Sequence, residues 1–195
     1  MQQRSEETRT HLLEAALRLF SKEGYDATGV AEICQAAGVS KGAFYHHFPS
    51  KHDIFMALLE GWLAELDRQF NEALAEAKNV PNGLVRMAEK SRSVFLDARG
   101  QLPMFLEFWT KASRDPVVWQ STIAPYRRYQ ALFAGIFRQG MAEGSIAEAD
   151  PDAAARVVLA LALGLILQSM LDREGAQWNQ VAQEGMLLVM KGLTK

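Results

Sequence analysis

Apolar positions recur at helical spacing along almost the whole chain, and no segment alternates in the two-residue rhythm of a half-buried strand. Leu12, Leu13, Ala16, Leu17, Leu19 and Phe20 form one face of a first helix, about Ser5 to Lys22, stopped at Gly24. Val30, Ile33, Cys34 and Ala37 give the inward side of a short second helix that ends at Gly38. Glycine enters the left-handed conformation there at little cost. Ser40 offers its hydroxyl to free backbone N–H groups and caps a third helix through His47. Pro49 closes that helix, and Ser50 opens a long one to about Ala77 carrying Ile54, Leu58, Leu59, Trp62, Leu63, Leu66 and Phe70. Further helices are predicted from Pro81 to about Ala98, Leu102 to Ser113, Asp115-Pro116 to about Glu143, Asp150-Pro151 to about Arg173, and Gln177 to Gly192. Pro125 should interrupt or kink the third of these, because proline cannot donate the backbone hydrogen bond. Val157, Val158, Leu159, Leu161, Leu163, Leu165, Ile166 and Leu167 ring the next helix, so it should be buried nearly all round. The expected fold is all-α, with about nine helices.

Residues 29–48 read as a helix-turn-helix, with Gly38 in the turn and Val39 filling the apolar space between two short helices. In that motif the second helix enters the major groove while the first braces it. Lys41, Tyr45, His46, His47 and Lys51 are the outward candidates, whereas Phe44 and Phe48, four apart, face the core. Ammonium, phenol and imidazole groups around a helix end can all donate to phosphate oxygens. A solvated helix end with scattered polar residues is the plainer alternative.

Bulk charge gives no help to a nucleic-acid reading. The 195 residues carry 21 Lys and Arg against 23 Asp and Glu, a net −2. Residues 1–53 also hold more acid than base, yet all four histidines (His11, His46, His47, His52) lie there. A single cysteine, Cys34, excludes an internal disulfide, and its inward position makes it a small buried residue rather than a redox sensor. Adjacent His46 and His47 point about 100° apart on a helix, and no Cys or acidic partner stands near to complete a metal set. No Gly-rich phosphate loop, nucleophile–base pair or cofactor motif is present, so an enzyme is not expected. The run from Val157 to Leu167 is shorter than the ~20 residues of a membrane helix, and the N-terminus lacks a signal-peptide core. The expected setting is the cytoplasm, without a membrane.

Residues 8–60 resemble the N-terminal DNA-binding domain of the TetR family of bacterial transcriptional regulators. The resemblance rests on the apolar first helix, Gly24-Tyr25, Ala27-Thr28, Glu32-Ile33, Ala37 to Gly42, Phe44 to Phe48 and Ser50-Lys51. It implies a helix-turn-helix domain over residues 5–65 and an effector-binding and dimerisation domain over 66–195. It also implies that Thr28 and Lys51 touch phosphates, and that Ser40, Lys41, Gly42 and Ala43 head the recognition helix against the groove. Tyr45 and His46 would contact phosphates or base edges, and His47 a phosphate. Gly29 stands where a Ser or Thr cap is usual, and Ala31 where a basic residue is frequent. Leu106 to Trp109, Arg114-Asp115-Pro116, Tyr126-Arg127-Arg128 and Ala153 to Arg156 further resemble the effector domains related to betaine-responsive repressors.

Phe95, Phe105, Phe108, Trp109, Trp119, Tyr126, Tyr129 and Phe133 are either core or the lining of an effector cavity. Glu107, Lys111, Gln120 and Gln168 are the candidate polar anchors, in the general form of an apolar pocket with few polar groups. The last two helices, over 150–173 and 177–192, are candidates for a two-fold interface that spaces two recognition helices. The resemblance thus implies a homodimeric repressor released from a palindromic operator by an unidentified small molecule, with the fourth helix as lever. The alternative is a helical small-molecule-binding or interaction module without DNA binding.

Overall fold

The computed structural model describes residues 2–91, 105–106, 109–110 and 116–194. Among the described residues the chain is helical, without strands: α1 (Gln2–Glu23), α2 (Val30–Ala37), α3 (Lys41–His47), α4 (Lys51–Ala75), α5 (Val80–Lys90), α6 (Pro116–Ala142), α7 (Pro151–Leu171) and α8 (Trp178–Leu193). The helix expected over Leu102 to Ser113 lies mostly outside the described residues, although 105–106 and 109–110 are helical. Pro125, expected to interrupt or kink its helix, lies inside α6, which continues through it. One missing N–H donor does not end a helix when its other turns are packed.

The chain divides into two compact units within α4, between Glu65 and Leu66, and the first unit also takes in Phe105, Leu106, Trp109 and Thr110. The first unit is built on the apolar stripe of α1. Leu12, Ala16 and Phe20 are at most 1% exposed and share a core with Ile33, Phe44, Ile54 and Phe55. Fully burying each such side chain is worth roughly 1.5–3 kcal/mol. Phe20, Tyr25 and Phe55 stack as a trio, with ring centroids 5.1–6.1 Å apart.

In the second unit, Leu84 and Met87 of α5, Phe133 and Phe137 of α6, Val158 of α7 and Met186 and Met190 of α8 are buried. Glu143 joins the end of α6 to the start of α5, its Oε1 accepting the Val80 N–H at 2.8 Å. The Ser145 hydroxyl, and after it that bond, hold the Glu143 carboxyl below its ordinary pKa. Gly140 permits the close return of the chain after α6, because a Cβ there would stand 2.7 Å from Ile146 Cδ1. Asp67, on the last turns of α4, accepts from the Tyr129 hydroxyl and from Arg128 Nη1, both at 2.7 Å.

α7 departs from the expectation of burial nearly all round. By length and composition it could cross a membrane, yet only 28% of its most apolar window is buried within one chain. Val157, Leu167 and Leu171 of α7, with Leu187 and Leu188 of α8, are exposed. Its start is sharply set, because Asp150 accepts from the N–H groups of Asp152 and Ala153.

Candidate nucleic-acid interface

α2 starts at Gly29, whose N–H donates to Glu32 Oε2 at 2.7 Å. Glycine has no side chain to complete the reciprocal half of a capping box. The helix stops at Gly38, which takes φ of 68°. The Val39 N–H then bonds back to the Cys34 carbonyl at 3.0 Å, which fixes the turn. Ser40 caps α3 by accepting the Ala43 N–H at 3.1 Å. Cys34 is buried at 4% exposure, and that burial pushes its thiol pKa up against the opposing pull of Lys41.

The two faces of α3 are sharply different. Phe44 and Phe48 are inserted in the core at 0% and 3% exposure, while Tyr45 is 54% exposed. Lys41, Gly42 and His46 are exposed, and Ala43 and His47 half-buried. The His46 and His47 rings lie 5.1 Å apart, edge to face. Burial lowers the pKa of His47 below 6.5, and the neighbouring His46 and Arg9 lower it further. Near pH 7, His47 is therefore a neutral imidazole.

Lys51 and Thr28, the two residues that the resemblance assigned to phosphates, make their described contacts within the chain. The Lys51 ammonium donates to the carbonyls of Tyr25 and Thr28, each at 2.8 Å, and reaches that of Asp26 at 3.5 Å. It also stands 4.4 Å from the centroid of the Tyr25 ring. The donors of this ammonium are thus directed at the α1–α2 turn, which it ties to the start of α4. Thr28 is 1% exposed, and its hydroxyl donates to the Gly24 carbonyl at 2.9 Å. Tyr25 stays protonated, its pKa pushed up to about 12 by burial and then by the Asp26 and Asp53 charges. Ser50 heads α4 by accepting the Asp53 N–H at 3.2 Å.

Sequence reasoning missed Arg9. Its guanidinium lies over the Phe48 ring, 5.3 Å from the centroid, which brings α1 to the end of α3. The available signal was that Arg9 falls on the same helical stripe as Leu12, Ala16 and Phe20.

The residues proposed for an effector cavity fall on both units. Phe105, in the first unit, is buried against Phe55 and Trp62, with centroids at 5.7 and 5.2 Å. Trp109 there is 36% exposed, and Trp119, in the second unit, 46%. Tyr126 is half-buried and Gln120 and Gln168 are exposed, while Tyr129 and Phe133 pack on Phe70. Phe95, Glu107, Phe108 and Lys111 lie outside the described residues. Among the described residues no group of three or more His, Cys, Asp or Glu could hold a metal ion.

Comparison with known proteins agrees with this arrangement. Residues 12–58 match the tetR family of bacterial regulatory proteins, and residues 83–184 match the C-terminal domain of BetI-type transcriptional repressors. The transcriptional regulator AcuR of Cereibacter sphaeroides is 32% identical over 166 residues, covering 83% of this chain and 75% of that protein. A transcriptional regulator from Pseudomonas aeruginosa PAO1 superposes with a TM-score of 0.82 at 27% identity, covering 94% of this chain and 88% of that one. A regulator from Saccharomonospora viridis, solved in complex with choline, gives 0.80 at 25% identity, covering 97% and 99%. With both its segments matched and a relative aligned across most of its length, this chain belongs to the tetR family of bacterial regulatory proteins.

Proposed function

We propose that the chain is a cytoplasmic, homodimeric, ligand-responsive transcriptional regulator that represses by occupying a palindromic operator. The observation that carries this is α3: a short capped helix anchored by Phe44 and Phe48, with Lys41, Gly42, Tyr45 and His46 directed to solvent. An anchored helix with donors on its free face can enter a major groove with little ordering cost. Residues 5–65 supply this surface, and residues 66–195 supply effector binding and dimerisation. The exposed leucines of α7 and α8 form the two-fold contact, which brings two copies of α3 to half-sites about one helical turn of DNA apart. An effector that binds better to the conformation with misplaced recognition helices draws the dimer off its operator by population shift. α4, which runs through both units, carries that change.

The test is to select bound fragments from sheared genomic DNA with the purified full chain. Recovery of an enriched palindrome, bound with one dimer per site, is expected. Recovery of no enriched sequence would leave a helical binding module without an operator. Choline, found in the S. viridis relative, is a reasonable first effector probe, read as release from the recovered fragment.

A further inference from the structure

Several cations among the described residues are engaged within the chain. Lys51 is turned onto backbone carbonyls, and Arg68, Arg86, Lys90, Arg128 and Arg138 are each paired with a carboxylate. Arg9 is different. It is exposed, and among the described residues its guanidinium has neither an ion pair nor a hydrogen bond, although Glu6 lies three positions before it. It lies on the face of Phe48, the residue that ends α3. The Phe48 ring lies 6.5 Å from that of His47.

We propose that Arg9 is a phosphate-binding residue of the nucleic-acid interface, a cation that α1 delivers to the C-terminal end of α3. This rests on the DNA-binding function proposed above. A guanidinium laid on an aromatic face keeps its N–H edges free, and those edges match phosphate oxygens in a two-point contact. Stacking also removes part of the side-chain entropy that a free surface arginine loses on binding. The C-terminal end of a helix repels an anion through its unpaired carbonyls, so a cation is most useful at that end of α3. Arg9 meets the need from another helix, with His47 beside it as a neutral donor.

Arg9→Met keeps an unbranched apolar chain to lie on Phe48 and removes the charge, and Arg9→Lys keeps the charge without the planar fork. Both are compared with the wild-type chain on a fluorescein-labelled mixed-sequence duplex of about 30 base pairs, since a phosphate contact does not depend on sequence. Each arginine–phosphate contact contributes about 0.9 to the slope of log affinity against log salt, so a dimer of Arg9→Met should lose nearly 2. The advantage of the wild type should therefore shrink about tenfold between roughly 50 and 200 mM salt. Arg9→Lys should retain the wild-type slope. Matching helical circular dichroism and melting midpoints establish that each variant is folded, and a variant that is not is replaced by Arg9→Gln. A folded charge-free variant with the wild-type slope overturns the proposal while leaving the DNA-binding function intact. Failure of the wild-type chain to bind any duplex overturns both.

Discussion

Single side chains in the first unit have partners that their spacing does not reveal. The alternation on α3 was legible, because Phe44 and Phe48 stand one turn apart and the residues between them must point outward. The use of Lys51 was not, because its acceptors lie 23 to 26 positions earlier and only the packed turn brings them near. Lys51→Met should lower stability by roughly 2 kcal/mol, the scale of hydrogen bonds from a charged donor. Urea unfolding measures this. The salt dependence of DNA binding should stay at the wild-type slope, and a slope reduced by about one per half-site at unchanged stability would place the ammonium on phosphate instead. His47 yields a pH prediction. Its pKa is lowered in the fold, so its contribution to stability is present above the unfolded value of 6.5 and is lost as pH falls through the folded one. A phosphate beside it offsets the repulsion from His46 and Arg9, raises the pKa and draws in a proton. DNA affinity should therefore rise as pH falls from about 7.5 to about 5.5 at constant ionic strength, and His47→Gln should flatten the profile. Equal profiles for the two proteins would remove His47 from the contact.

Helix boundaries were the most legible feature of the chain, because each is set by local chemistry. Gly38, Ser40 and Asp150 stop or start helices where their residue types dictate. Two elements show where local signals stop. Pro125 signals an interruption or a kink by its local chemistry, and α6 continues through it, being long enough to tolerate the loss of one bond. α7 signals a core helix by its composition, but composition does not say whether the cover comes from the same chain. The Asp150 cap offers a direct measurement at this level. Its two accepted N–H groups, from Asp152 and Ala153, are otherwise without helical partners. Asp150→Ala should cost about 1 kcal/mol in the denaturation midpoint, and Asp150→Asn should recover most of it. A fully stable alanine variant would show that the tertiary contacts of α7, rather than its cap, fix where it begins.

Across the whole molecule, the exposed leucines of α7 and α8 predict a species of twice 21.7 kDa at micromolar concentration. Leu167 and Leu188, 50% and 68% exposed, are the residues to change. Replacing both by Glu should give a folded monomer by sedimentation and remove tight operator binding, because a single half-site contact remains. A double variant that still sediments as a dimer would move the interface elsewhere. The pairing of these cations within the chain has a last consequence, which concerns the genome rather than the operator. A chromosome offers on the order of a million or more competing sites, and attraction to them is almost wholly electrostatic. A chain of net −2 that ties Lys51 to backbone, and Arg68, Arg86, Arg128 and Arg138 to carboxylates, holds those charges back from arbitrary DNA. Fewer copies are then sequestered on unrelated sequence, so a small cellular pool suffices to keep the cognate promoter occupied.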